Sequence, residues 1–521
     1  MSDPFDVAVV GCGPVGAFAG LVFARAGLRT LVLDAADAPH PLPRAVHIDH
    51  EMMRLLQSVG VIAQVSGDMR ETEGHLHIGA DGGVIRYMGT VGRPRPYGWA
   101  NDYFFYQPEF EAHLRGALLA NGNVTLRLGA RVDTLDQRED GVVLHVATPD
   151  GAEAIRARWV VGCDGARSTV RRQLGIELDD LDFEEPWLVV DAEVQAPLHF
   201  PAFTGVPPAA DLQRLSVMLC DPARPATIVP GRGTHRRWEF MLLPGESEEE
   251  MTRPDRVEAL IRPWLHGVPF RLVRATTYRF HGLVARRWRA GRVFLAGDAA
   301  HQTPPFFGQG MCHGFRDVAN LAWKLALVGS GRAQEALLDT YQSERDPHVR
   351  AVISAAIEAG RYICVLDPQK AAERDSAMRA RSATQGSGTA ADLIPALAAG
   401  VVAPGAGERF VQPWVAGERG RTLLDDVTGT GWRVLVHDAM LTADARDSVH
   451  TLMPDLDMSV IDVATLADGG TLADWFAQRR ASIAVIRPDF YVFGTCAAAH
   501  GLAMLLKSLR ERLSFPSESR S

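Results

Sequence analysis

Near its N-terminus the chain reads Val-Val-Gly-Cys-Gly-Pro-Val-Gly over 9–16, a Gly11-x-Gly13-x-x-Gly16 turn that few folds can use. A β-rich run at 6–10 precedes it, apolar residues at helical spacing fill 14–26, and a second apolar run at 28–34 ends on Asp34. This order predicts one strand–turn–helix–strand unit of a parallel sheet, with a right-handed crossover and Gly27 at the helix C-terminus. Each glycine has a separate task. Gly11 permits the tight turn, Gly13 lets a pyrophosphate approach the backbone, and Gly16 lets helix and strand pack closely. The helix N-terminus offers unpaired N–H groups and a partial positive charge to phosphate. Asp34 is placed to accept from a ribose hydroxyl. The motif alone does not separate FAD from NAD.

Residues 7–24 carry no charged side chain, yet five glycine or proline residues interrupt the run and Asp3 and Asp6 precede it, so a signal peptide or membrane span is not expected. With 47% hydrophobic and 22% charged residues, the composition is that of a soluble globular protein. At 521 residues it calls for two or three domains. A net charge of -9 disfavours nucleic acid or an anionic membrane as partner. Six cysteines without a Cys-x-x-Cys pair suit reduced thiols in a cytoplasmic protein and provide no metal site.

Further along, 127–146 has the pattern of a hairpin turning at Glu139-Asp140-Gly141, and 159–162 is a short strand running into Cys163-Asp164-Gly165. Residues 183–280 alternate strand-like runs with Pro/Gly-rich turns, which predicts an inserted antiparallel sheet. A buried strand at 292–296 leads into Gly297-Asp298-Ala299-Ala300-His301, then Pro304-Pro305-Phe306-Phe307-Gly308-Gln309-Gly310-Met311 and a helix over 314–328. From 367 to 407 the composition shifts to Ala, Gly, Ser and Pro, suggesting a linker or loosely packed helices. Strands at 432–437 and 482–487 belong to a separate C-terminal unit.

Taken in order, the Gly11–Gly16 turn, Cys163-Asp164-Gly165-Ala166-Arg167-Ser168 and Gly297-Asp298 resemble the p-hydroxybenzoate hydroxylase-type (class A) flavoprotein monooxygenases. Cys220-Asp221-Pro222 and Arg236-Arg237-Trp238-Glu239-Phe240 are most similar to the 3-(3-hydroxyphenyl)propionate hydroxylase group, while Pro43-Arg44-Ala45-Val46-His47 and Asn320-Leu321-Ala322-Trp323-Lys324 resemble aromatic-ring hydroxylases more widely. The resemblance departs at Cys312, where many relatives carry Asn, and at Asp34, where Glu is commoner.

The resemblance implies an α/β chain with a discontinuous Rossmann-like FAD-binding domain (1–182 and 281–365) and an antiparallel-sheet substrate domain (183–280). A linker (366–407) and a thioredoxin-like C-terminal domain (408–521) follow. The last lacks a redox Cys pair, so its expected role is structural or as a homodimer contact. The FAD contacts implied are Gly11, Gly13, Pro14, Gly16, Asp34, Arg44, Gln107, Val132, Asp164, Gly165, Gly297, Asp298, Pro305, Gly308, Gln309, Gly310 and Met311. Asp298 is suited to ribityl hydroxyls, and the helix opened by Gly308–Gly310 to the flavin pyrimidine edge. Asp164 can also cap the helix that follows, alongside the cofactor role.

By resemblance, NADH or NADPH reduces FAD, O2 adds to give a C4a-hydroperoxyflavin, and a phenol resembling 3-(3-hydroxyphenyl)propionate or 3-hydroxycinnamate is hydroxylated. No second dinucleotide fingerprint exists, so nicotinamide visits transiently. His47 is the candidate base near the ring. A polyketide- or antibiotic-tailoring hydroxylase is the alternative within the family, and a non-enzymatic flavin-binding protein the alternative outside it. Paired cysteines of a disulfide reductase and the Trp-x-Trp-x-Ile-Pro run of a flavin halogenase are both missing.

Overall fold

The computed structural model describes residues 4–385, 388–417 and 420–513; expectations that fall on 1–3, 386–387, 418–419 and 514–521 lie outside the described residues. Strand Phe5–Val10 forms the middle of a parallel sheet. Thr30–Leu33 and then Val124–Arg127 lie on one side of it, Gly151–Gly162 and then Val293–Leu295 on the other. Val7, Ala8 and Val9 are fully buried, as a parallel strand covered on both faces requires. The hairpin Arg131–Arg138/Gly141–Thr148 continues from Gly151–Gly162 in antiparallel fashion.

Helix Pro14–Arg25 packs against helix Gly310–Gly329, with Phe18 and Phe315 stacked at 4.4 Å between ring centroids. Gly27, at φ +85°, ends the first helix, and Leu28 N–H reaches back to the Phe23 carbonyl. That left-handed turn and its six-to-one bond are a Schellman ending, which glycine adopts without strain.

A second sheet has eight strands in the order His301–Gln302, Phe270–Ala285, Leu178–Val194, His235–Met241, Ala226–Val229, Ser216–Leu219, Gly74–Ile78, Val84–Gly89. It therefore reaches beyond the 183–280 segment and takes two strands from 74–89. Gly74–Ile78 joins Ser216–Leu219 in the sheet's parallel pair. The edge strand Val84–Gly89 is covered by helix Pro368–Gln385, which lies within the segment read as a linker or loose helices. Arg379 and Ser382 donate to the Val84 and Ile85 carbonyls, and Asp375 accepts from Ala80 N–H at 2.8 Å. Covering an exposed edge in this way blocks its pairing with other chains.

Alternation along the strands separates the sheet's two faces. Leu188, Val190, Ile228, Trp238 and Phe240 pack under helix Pro254–Leu265 through Val257, Ile261 and Trp264. Val189, Asp191, Thr227, Arg237 and Glu239 have the opposite parity and face the parallel sheet.

The C-terminal unit contains a four-stranded sheet ordered Met458–Asp462, Trp432–Val436, Ile483–Ile486, Val492–Cys496. Its first pair is parallel and the other two pairs are antiparallel. Helices Thr442–Leu452 and Ala499–Arg512 pack together against it. Buried ion pairs tie this unit to the rest: Arg54 to Asp425 at 2.6 Å and Arg487 to Glu344 at 2.7 Å. Among the described residues, no helix is long and apolar enough to cross a membrane.

Candidate active site

Between the two sheets lies a cavity of about 1000 Å³, at the upper end of the range for small-molecule sites. The carboxyl ends of four parallel strands open into it, delivering Gly11 and Gly13, Asp34, Asp164 and Gly165, and Asp298. Open parallel sheets bind ligands at this end.

The glycine turn is built as its spacing predicts. Gly11 has φ +98°, and a Cβ there would stand 2.5 Å from the Cys163 carbonyl oxygen. A Cβ on Gly16 would collide with the Gly11 carbonyl, so Gly16 lies behind the cavity wall and serves packing. Gly13 faces open space, and the helix that Pro14 begins has no side-chain cap. Its first N–H groups therefore point unpaired toward the cavity, where an anion would satisfy them. Asp34 accepts from Cys12 N–H at 2.6 Å and Ala36 N–H at 2.8 Å. Beside it, Arg115 Nε and Nη1 are buried without a partner among the described residues.

Asp164 accepts from Ser168 Oγ and from the N–H groups of Thr169 (2.7 Å) and Val170 (3.1 Å), so it caps helix Thr169–Gln173 while lining the cavity. Gly165 and Val132 also line the wall. Arg44 extends exposed into the cavity from a loop held on both sides. Gln107 Oε1 accepts from Arg44 and Ala45 N–H at 3.0 and 2.6 Å, so its amide secures this loop. From the sheet side, Arg237 donates to the Pro43 and Arg44 carbonyls.

Gly297 and Asp298 follow the last parallel strand. The Asp298 carboxyl is open to the cavity yet surrounded by protein on its other sides. That burial raises its pKa, opposed by His301 and Arg44. Gly297 N–H is held from behind by Asp317, which also bonds His301 at 2.7 Å. Pro305, Gly308, Gly310 and Met311 line the cavity, and helix Gly310–Gly329 begins there without a side-chain cap. Gln309 is placed differently from its neighbours. Its side chain is buried and accepts from Arg316 at 3.0 Å, leaving only its backbone near the helix start.

A Cβ on Gly308 would run into the His47 ring, which packs directly against this loop. His47 Nε2 lies 2.9 Å from Asp102 Oδ1. Burial alone would lower the His47 pKa, but the Asp102 carboxylate outweighs it and holds the ring above its usual value. His75 stands next to it, ring centroids 5.8 Å apart, with both nitrogens buried and unpartnered among the described residues. Burial and the nearby His47 push His75 down to about 4, so it is neutral at physiological pH. His75, Asp102 and Glu239 were not expected from the sequence. The alternation in His75-Leu76-His77-Ile78 was the available signal, because it places both histidines on one strand face.

Residues 4–356 match the family model described as FAD binding domain, and 407–512 the HcaD C-terminal domain. A probable NADH-specific resorcinol 4-hydroxylase of Rhodococcus jostii is 36% identical over 97% of this chain and 94% of its own. The chain belongs to the class A flavin monooxygenases. It is an FAD-dependent aromatic hydroxylase. Within the family it is also 34% identical to a 3-(3-hydroxy-phenyl)propionate/3-hydroxycinnamic acid hydroxylase of Burkholderia vietnamiensis, over 94% of this chain and 93% of the relative. The crystal structure of aklavinone-11 hydroxylase with FAD and aklavinone superposes with a TM-score of 0.77 at 26% identity, covering 99% of this chain and all of that one. The site fits FAD on its own geometry: two uncapped helix starts, open space at Gly13, and unpartnered donors on Arg115 all face one cavity.

Proposed function

We propose that this chain hydroxylates a phenolic ring held between the Gly308–Met311 loop and the antiparallel sheet, with NADH as reductant. The observation that carries this reading is the buried His47–Asp102 pair against that loop, with His47 on the wall of a cavity lined by the parallel-strand ends on one side and the antiparallel sheet on the other. When bound, FAD supplies the electron transfer and oxygen activation that amino-acid side chains cannot provide.

The protein's residues bind, orient and exclude water. Gly13 and the helix behind it receive the pyrophosphate, Asp34 a ribose hydroxyl, and Asp298 the ribityl chain. The start of helix Gly310–Gly329 stabilises negative charge on the ring system it faces. Neutral His47 takes the phenol proton at an imidazole nitrogen, and Asp102 stabilises the imidazolium formed. Arg44 closes the cofactor side of the cavity. NADH is preferred on the likeness to an NADH-specific relative.

The C-terminal unit is proposed to be thioredoxin-like. Its parallel pair followed by an antiparallel hairpin supports this, and Cys496 is its one cysteine, so its role is structural. A polycyclic phenol is the second reading, favoured by the fold shared with aklavinone-11 hydroxylase.

The test is NADH consumption by purified, flavin-loaded protein across a panel of small and polycyclic phenols, with products analysed by mass. Stimulated consumption with a product heavier by one oxygen atom is the expected result. Flavin-loaded protein that no phenol stimulates would establish a binding role in place of an enzymatic one.

A further inference from the structure

The sheet-facing half of the cavity has its charges already matched. Arg237 donates to Asp191 through Nε at 2.8 Å and Nη2 at 3.2 Å, besides holding the Arg44 loop. Arg274 donates to the same carboxylate at 3.0 and 2.6 Å and to Tyr278 Oη at 2.9 Å. At the outer rim, Arg279 is bound to Glu184 at 2.7 Å. Glu239 then adds a second carboxyl to the row, 3.9 Å from Arg237 Nη1. Two buried guanidinium groups thus face two carboxyl groups, and among the described residues no further cation of this half is uncommitted. Arg115 and Arg131 lie with Asp34 and Asp133 at the adenosine end, and Arg44 faces Asp298.

What remains without a partner sits on groups that are neutral or already paired. Neutral His75 offers two unpartnered nitrogens, and His47, whose Nε2 is held by the Asp102 carboxylate, offers one. Ser216 and Thr227 present hydroxyls from the same sheet face. Such groups bond hydroxyls well, each able to donate or accept. A carboxylate brought into this space would lose its water, find no free cation, and meet Glu239.

We infer that the cavity selects an uncharged hydroxybenzene, of the resorcinol type, and discriminates against phenols that carry a carboxylate. This rests on the reading that the site hydroxylates phenols. Glu239 is the residue that enforces the choice. Its carboxylate, 3.9 Å from Arg237 Nη1, can accept from a neutral hydroxyl but repels a second carboxylate.

The experiment compares resorcinol and 3-methylphenol with 3-(3-hydroxyphenyl)propionate and 3-hydroxybenzoate, using the full FAD-loaded chain. Both kcat/KM and the perturbation of the flavin spectrum on binding are read. The neutral phenols should exceed the acids by about tenfold or more, the equivalent of ~1.4 kcal/mol. Glu239→Gln should narrow that gap by gaining on the acids. Acids accepted as readily as neutral phenols, or a gap that E239Q leaves unchanged, would overturn the inference. If no phenol of either charge is turned over, the hydroxylase reading falls, while the spectral titration still decides whether neutral rings are preferred.

Discussion

Asp102 holds the His47 ring across two antiparallel strands, with Nε2 and Oδ1 2.9 Å apart and both side chains buried. In the register of His47–Asp49 with Asp102–Phe104, His47 lies opposite Phe104 and Asp49 opposite Asp102. The two partners are diagonal neighbours on one face, a separation that long side chains bridge. Asp49, which caps helix His50–Ser58 at the end of the same strand, is locked by Arg316 at 2.6 Å, so the pair sits on a rigid base.

This geometry predicts a pH effect with a defined sign. As a base His47 must be neutral, so turnover should fall as pH drops through a value above the ring's usual 6.5. In Asp102→Asn the carboxylate is gone and burial prevails, which moves that acid limb to lower pH. His47→Ala should reduce hydroxylation by roughly 100-fold, within the range for a lost general base, with FAD content unchanged. The readouts are kcat against pH and the flavin-to-protein absorbance ratio. An acid limb in the same place in D102N would show that His47 does not titrate in turnover.

Gly13 and Gly16 are three residues apart and should fail in opposite ways. A Cβ at Gly16 strikes backbone, so Gly16→Ala should destabilise the apoprotein by about 1–3 kcal/mol, as overpacking does. A Cβ at Gly13 meets no protein atom within 4 Å. Gly13→Ala should therefore melt like wild-type apoprotein and yet bind FAD poorly. Thermal melts and flavin titrations of both variants separate packing from cofactor approach. A Gly13→Ala protein that retains full flavin affinity would place the pyrophosphate elsewhere.

How much of this was legible in the sequence depended on the distance over which each feature is encoded. The glycine turn, its helix and the hairpin at 139–141 are local, and spacing alone located them. The inserted sheet was legible as alternation, but its strand at 74–78 pairs with 216–219, over a hundred positions away, and brings its hairpin partner 84–89 with it; alternation says nothing of partners. Gln309 sat in the right loop, yet burial of Arg316 turned its side chain inward. Asp102 carried no motif at all. Its importance comes from register with His47, which only the folded strands define.

Asp164 has two duties that can be separated. Because it accepts from Thr169 and Val170 N–H, Asp164→Ala should cost about 1 kcal/mol in the apoprotein, the usual loss for a helix cap. Asp164→Asn keeps an acceptor and should recover part of that. Denaturant unfolding of apoprotein measures the cap, and FAD affinity measured separately reports any cofactor contact. Equal stability of D164A and wild type would mean that Ser168, bonded to Arg171 N–H at 2.9 Å, caps the helix unaided.

The C-terminal unit is fastened through Asp425, which accepts from Arg54 at 2.6 and 3.0 Å and from Arg433 at 2.8 Å. Burial would raise this carboxyl, but the two guanidinium groups outweigh it and hold it below the usual carboxylate range. A depressed carboxylate contributes stability that is present above its unfolded pKa and lost as pH falls through the lower folded value. Docking should therefore persist through mildly acidic pH and weaken only below about pH 4. Asp425→Ala leaves Arg54 and Arg433 buried without this counter-charge, a change that typically costs about 3–5 kcal/mol. Limited proteolysis should release a C-terminal fragment from D425A at neutral pH and from the wild type only in acid. Joint replacement of Arg54, Arg433 and Asp425 by apolar residues should restore much of the resistance, because the stranded charge, more than the missing bond, loosens the unit. A D425A protein as resistant as wild type at neutral pH would shift that role to the Arg487–Glu344 pair.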